Sequence, residues 1–196
     1  MIVSALRPAI VLIAFFTVLT GLALPLGFNG FGAAILPFQA GGSLLKHGDT
    51  VIGSSLIGQV FTAEKYFHAR PSATTDTDPA DSTKQVPAPY NASSSGGSNL
   101  APTSQALIDR VKGDIDAAGP APVPADAVTT SASGLDPHIS PANAARQVAR
   151  VAKARGLRED DIRAMVERQT EGRTLGLIGE PRVNVLRLNL ALDAVQ

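Results

Sequence analysis

Between Arg7 and Lys46 the chain carries no charged side chain for 38 residues, and residues 9–26 within that stretch are strongly apolar. A hydrocarbon core about 30 Å thick is crossed by about 20 apolar helical residues. Residues 9–26 supply 18, of which 11 are Leu, Ile, Val or Phe, and flanking residues to Phe28 extend the run. At roughly 0.3–0.6 kcal/mol each, these side chains favour insertion by about 3–6 kcal/mol before Gly21, Pro25 and the threonines subtract. A cleaved signal peptide is the competing reading, but it needs a basic start, a short apolar core and a small-residue site after that core. Here the start is only Arg7 and the α-amine, the run is long, and the best small-residue site, at residues 21–23, lies inside it. The sequence therefore predicts an anchor over residues 1–28 and one domain over 29–196. Positive charge precedes the span and none follows until Lys46, which predicts a cytoplasmic N-terminus and an exterior domain.

About 165 residues follow the span, enough for one domain with its own core. Basic and acidic residues balance at 17 each, and setting Arg7 aside leaves 16 against 17. Nucleic-acid binding normally leaves a basic footprint, and this balance gives none. The absence of cysteine excludes a disulfide framework and a lipid-bearing cysteine.

Along the domain, Gly42 to Phe61 alternates short apolar runs with turn signals, and a hairpin around Gly48 is expected, with Leu45 opposite Val51 as its first pair. Residues 74–89, rich in Thr, Asp and Pro, read as a surface loop that continues to about residue 99, flexible for want of apolar residues to bury. Thr103 or Ser104 caps a helix carrying Leu107, Ile108, Val111 and Ile115 on one face, ended by a Pro/Ala linker over 119–126. Ser140-Pro141 is a helix start. Ala144, Ala145, Val148, Val151 and Ala152 form that helix's apolar face, and Gly156 stops it. Glu159, Asp160 and Asp161 open a third helix on its favourable end. Residues 183–188 read as a strand, and 188–195 as a strand or a short helix. The sum is an α+β domain behind one anchor helix.

The reactive chemistry is sparse. No Gly-rich phosphate loop occurs, and His47, His68 and His138 are too far apart to suggest a metal site. Asp136-Pro137-His138 fits backbone hydrogen bonding ahead of the Ser140 cap, two ligands of a metal, or half of an acid–base pair in an anchored or secreted hydrolase; no nucleophile accompanies it. Ser98 has no neighbouring base and fits a turn. Two loops concentrate glycine with short polar side chains: Ser95, Gly96, Gly97, Ser98 and Asn99, and Ser133 to Pro141. A third run holds Phe61, Tyr66 and Phe67 near Arg70, which suits either packing or an aromatic–arginine contact with a partner protein. In the span, Thr17, Thr20 and Gly21 permit close approach of another helix. A free exported binding protein is the alternative to a permanently anchored subunit.

Taken together and in order, these blocks resemble one family. They comprise Arg7-Pro8, Gly42-Ser43-Leu44, Gly53-Ser54-Ser55-Leu56-Ile57-Gly58-Gln59, Tyr66-Phe67 with Arg70-Pro71-Ser72-Ala73, Tyr90-Asn91, and Ser95-Gly96-Gly97-Ser98-Asn99-Leu100. Ser133-Gly134-Leu135-Asp136-Pro137-His138-Ile139-Ser140-Pro141 and Gly179-Glu180-Pro181-Arg182-Val183-Asn184-Val185-Leu186 with Leu188-Asn189-Leu190-Ala191-Leu192-Asp193 complete the match. Over nearly its whole length the chain is similar to the C subunit of Kdp-type potassium-transporting ATPases. The resemblance implies a bacterial inner-membrane complex with a channel-like potassium-binding subunit, a P-type ATPase catalytic subunit and a small single-span subunit. It also implies a non-catalytic role for this chain, in assembly and in raising the ATP affinity of the catalytic subunit. The loop Ser95–Asn99 has been likened in the family to a nucleotide-contacting signature. The charge pattern places that loop outside, whereas ATP is inside, so direct contact requires the reverse orientation or an effect carried through the span. The chain has no aspartyl-phosphate motif and no selectivity-filter loop, so it is not expected to pump alone.

Overall fold

The computed structural model describes residues 2–119 and 122–195, with side chains from residue 5 onward. Met1, whose amine enters the charge argument, and Pro120 and Ala121 of the expected linker lie outside the described residues. The chain divides into two compact units, Met1–Ser54 and Ser55–Gln196.

In the first unit, helix α1 (Ile2–Val18) runs through a π-turn (Leu19–Ala23) into α2 (Leu24–Ile35) without a break. The apolar helix spans Ala5–Ile35, 31 residues, about 46 Å at 1.5 Å per residue. It is therefore longer than the sequence reading and long enough to cross a bilayer. None of its described side chains is buried, which suits an apolar surround. The π-turn has a local cause. Pro25 has no N–H for the carbonyl of Gly21, and its ring would press on that carbonyl. Widening the turn by one residue, with the Leu24 N–H donating to the Leu19 carbonyl, relieves the clash. The Thr20 hydroxyl donates to the Phe16 carbonyl at 2.6 Å, occupying another backbone acceptor beside the distortion. A short helix α3 (Pro37–Ala40) follows, and then the expected hairpin of β1 (Leu44–His47) and β2 (Thr50–Ser54). The register is shifted from the expected one. Lys46 faces Val51 and Leu45 faces Gly53, across an irregularity between Leu45 and Lys46. The two-residue turn Gly48-Asp49, with Gly48 at φ 58°, fixes the near end of the pairing.

The second unit is α+β. Its core is formed by α6 (Pro141–Arg155), α7 (Glu159–Gln169) and α8 (Val185–Asp193) with a three-stranded antiparallel sheet. The sheet order is β5 (His138–Ile139), β7 (Arg182–Asn184), β6 (Thr170–Glu171). Phe67, Val148, Val151, Ile162, Leu188 and Leu192 are among its fully enclosed side chains. Ser140 caps α6, its hydroxyl accepting from the Asn143 N–H at 3.1 Å, and Gly156 ends that helix in the left-handed region at φ 67°. On α6, Asn143 and Gln147 take buried positions and Ala145 faces outward, so the apolar face is more polar than its sequence reading. Helix α4 (Gln105–Ala118) forms where expected, with Ser104 before it, but buries no residue completely. Helix α5 (Ala125–Val128) precedes the Ser133 loop.

Two sequence expectations are corrected here. Residues 74–89 are not simply loop, because β3 (Thr75–Asp78) pairs antiparallel with β4 (Asp81–Pro87). The hairpin buries almost nothing and holds through its backbone ladder and the Thr75–Gln85 and Thr77–Gln85 side-chain bonds, so no apolar alternation marks it. Residues 183–188 are a strand only to Asn184. There the Asn184 side chain accepts from the Arg187 N–H at 3.1 Å and starts α8. Val185, Leu186, Leu188, Asn189 and Leu192 are buried at helical spacing.

Candidate functional site

The loops that stand out in the sequence converge on one stretch of backbone, residues 131–138. The Gly96 N–H and the Ser95 hydroxyl both donate to the Ser133 carbonyl, at 2.9 and 3.0 Å. The Ser72 hydroxyl donates to the Gly134 carbonyl at 2.7 Å and accepts from the Tyr90 N–H at 3.1 Å. The Gly58 N–H donates to the Leu135 carbonyl at 2.8 Å. The glycines permit these approaches. A Cβ on Gly134, which sits at φ 67°, would lie 2.7 Å from the Gly96 carbonyl oxygen, and one on Gly58 would lie 2.8 Å from the Asp136 carbonyl oxygen and overlap the Tyr90 ring.

Asp136 is the electrostatic centre of this hub. Its carboxylate takes the Arg70 guanidinium at 2.8 Å and the His138 backbone N–H at 3.0 Å, with the His138 Nδ1 at 3.3 Å. Burial by itself raises the carboxyl, but the His138 ring and N–H, and then Arg70, outweigh it and hold the pKa at about 2. Arg70 also donates to the Thr129 carbonyl, and the Tyr90 hydroxyl donates to the Arg70 carbonyl at 2.7 Å. Burial, reinforced by Asp136 and opposed by Arg70, pushes the Tyr90 phenol up to about 12. Beside the hub, Asp126 holds the start of α6, accepting from the Ser140 N–H, the Ser140 hydroxyl and the Asn143 amide at 2.8–3.0 Å. Burial raises that carboxyl, and these donors more than reverse the rise.

Tyr66 belongs to a different cluster from Arg70. Its hydroxyl donates to Asp193 at 2.9 Å, its ring lies 5.4 Å from that of Phe61, and the Arg155 guanidinium stands 5.2 Å from its centroid. Phe67 is fully enclosed in the core. Ser95 and Asn99 are exposed, Gly96, Gly97 and Ser98 half-buried. Thr17, Thr20 and Gly21 lie in the first unit, the last two within the π-turn.

The residues that sequence reasoning missed are buried amides. Residues 67–70 belong to no helix or strand. Side chains from helices take the place of a ladder. Asn189 accepts from the Phe67 N–H at 2.8 Å and donates to the Phe67 carbonyl at 3.0 Å. Gln147 does the same for His68, at 2.7 and 3.1 Å. Arg150 donates to the Glu64 and Tyr66 carbonyls, and Arg155 to that of Lys65. Asn184 donates to the Ser55 carbonyl at 2.8 Å. The one available signal was polar residues placed on otherwise apolar helical faces.

Chemically, the hub is a set of donors and acceptors turned toward each other. Among the described residues no group of three or more His, Asp or Glu side chains has metal-holding geometry. The arrangement joins the loops and leaves Ser95 and Asn99 exposed beside it.

The family described as "KdpC: K+-transporting ATPase, c chain" matches residues 6–194. The chain is 62% identical over 195 residues to the potassium-transporting ATPase KdpC subunit of Rhodopseudomonas palustris (strain BisB18), covering 97% of this chain and 98% of that one. It is 60% identical over 192 residues to the same-named subunit of Methylobacterium nodulans, and 58% identical over 193 residues to that of Methylorubrum extorquens, covering 96% of each chain in both cases.

Proposed function

The chain belongs to the family of K+-transporting ATPase C chains, and on that premise we propose how it serves the complex. It is a non-catalytic accessory subunit of a potassium-transporting ATPase. The observation that carries this is the near-full-length match, spanning both the anchor helix and the hub.

In the reading we favour, the anchor crosses the bacterial inner membrane with its N-terminus in the cytoplasm and the α+β unit outside. Arg7 on one side and the uncharged helix to Ile35 on the other support this orientation. The partners are a channel-like potassium-binding subunit, the P-type catalytic subunit and a small single-span subunit. Thr17, Thr20 and Gly21 are the helix-packing positions, the π-turn giving a partner helix a widened, locally polar surface.

The chain raises the ATP affinity of the catalytic subunit through the span, without touching nucleotide. Two points support this. A loop outside the membrane is separated from cytoplasmic ATP, and the Gly96 N–H, which a phosphate would need, already serves the Ser133 carbonyl. Ser95, Gly96, Gly97, Ser98 and Asn99 together with Asp136, His138 and Arg70 then form a shape-holding contact surface, and Tyr66 secures the neighbouring cluster.

Co-purification through a tag on this chain tests the assignment, the expected result being recovery of a P-type ATPase and a channel-like potassium protein. A deletion strain should fail on micromolar potassium and recover with the gene supplied in trans; normal growth would refute the role. Added protease should digest the second unit in sealed spheroplasts, and protection would reverse the topology.

A further inference from the structure

Between β6 and β7 the chain makes a tight excursion whose tip is Leu175-Gly176-Leu177-Ile178. These three apolar side chains are 87%, 81% and 67% exposed. Surface turns usually carry Gly, Asn or Asp. Here Leu175 is held at φ 55°, in the left-handed region that a bulky side chain rarely occupies. The tip is also closed on itself. The Thr174 and Ile178 backbones exchange N–H to carbonyl bonds at 2.9 and 3.0 Å, and the Gly176 and Leu177 N–H groups donate to Arg173 and Thr174. With these backbone donors satisfied internally, the tip enters an apolar surround without stranding them.

Below the tip lies a collar of paired charge. Arg173 meets both Glu180 oxygens at 2.8 Å. Arg182 meets Glu171 at 3.0 Å, and Arg187 meets the same carboxylate at 3.6 Å. An apolar centre within a polar rim is the anatomy of a protein–protein contact. A lipid-inserting tip is expected to carry Trp or Tyr and unpaired Lys or Arg facing anionic headgroups. This one has no aromatic residue, and the three arginines of the collar are all engaged, by Glu180 or by the shared Glu171. Three side chains offer roughly 300 Å² of apolar surface, well short of the about 800 Å² per partner that a free-standing dimer of this chain would need. That area suffices for one contact of a chain whose anchor already confines it beside its partner.

We propose that the tip Leu175-Gly176-Leu177-Ile178 is a docking plug that seats in an apolar, mixed-charge-rimmed cleft on another subunit of the same ATPase. This rests on the accessory-subunit assignment above. The test uses the full tagged chain in its own membranes. Leu175→Ser with Leu177→Ser should lower the co-purified ATPase subunits at least tenfold after a detergent wash, about 1.4 kcal/mol. The melting temperature of the purified variant should stay unchanged. A photoreactive residue at position 177 should crosslink to an ATPase subunit identified by mass spectrometry, whereas one at Lys84 should not. Should the double variant also melt earlier, the crosslink alone decides. Undiminished co-purification by a double variant that melts as the wild type does overturns the plug, as does a position-177 crosslink only to lipid, only to a second copy of this chain, or to nothing. If the wild-type chain retains no ATPase subunit, both the plug and the assignment fall; if it does and the variant retains as much, only the plug falls.

Discussion

Replacing Asn189 tests whether side-chain amides truly stand in for a missing strand. Asn189 is 1% exposed and Phe67 fully enclosed, and the pair exchanges two bonds across 122 positions of sequence. Asn189→Ala leaves one buried N–H and one buried carbonyl unpaired, each costing about 1–3 kcal/mol, so the expected loss is about 2–5 kcal/mol. For a unit of this size that lowers the melting temperature by roughly 5–20 °C. The assay is thermal unfolding of the full chain in detergent micelles, followed by circular dichroism. Asn189→Asp separates hydrogen bonding from packing at nearly constant volume. The new carboxylate accepts from the Phe67 N–H but sets an oxygen against the Phe67 carbonyl, whereas the protonated acid donates to it. Burial raises the carboxyl pKa above its unfolded value of about 3.9. The variant's stability is therefore fully present below about pH 4 and lost as pH rises through the raised folded value. An Asn189→Ala loss under about 0.5 kcal/mol, or an Asn189→Asp profile parallel to wild type from pH 4 to 8, would refute the clamp.

Asp136 predicts the opposite dependence. Its pKa of about 2 lies below the usual carboxylate value, so its contribution is present above about pH 4 and is lost as pH falls toward 2. With partial exposure allowed for, it amounts to about 1–2 kcal/mol, and urea unfolding of Asp136→Asn should lack that share of the acid loss. Gly58→Ala should cost about 1–3 kcal/mol through overlap with Tyr90 and the Asp136 carbonyl, read as a lowered urea midpoint. Arg155 and Arg158 each meet an aspartate at 2.7 Å, but the Arg155 side chain is 1% exposed and Arg158 79%. Arg155→Ala should lower the unfolding midpoint clearly, by about 2–4 kcal/mol, and Arg158→Ala should leave it where it is.

What the sequence made legible was chemistry with a short reach. The uncharged run after Arg7 gave the helix, Gly48 the hairpin, and Ser140-Pro141 with Gly156 both ends of α6, because in each case the residues act on backbone within four positions of themselves. Pro25 was visible as a disturbance, but not that a π-turn absorbs it. The β3–β4 hairpin was hidden because both its faces are polar and its ladder uses only backbone and Gln85. Helix α8 was hidden because Val183, Asn184 and Val185 alternate like a strand until Asn184 acts as a cap.

The hub was legible only in its parts. Ser95–Asn99, Arg70–Ala73, Tyr90-Asn91 and Ser133–Pro141 each carry glycine or short polar side chains, and the residues alone leave their meaning open between turn, reactive site and contact. The geometry narrows this by showing where the polar groups point. The Asp136 carboxylate faces Arg70 and His138, the Gly96 N–H faces Ser133, and the Ser72 hydroxyl ties Gly134 to Tyr90. Such a hub ties several loops to one stretch of backbone. Ser95 is bonded to Ser133, three residues before Asp136, and Asp136 holds Arg70 at the end of the segment that Gln147 and Asn189 tie to the helices.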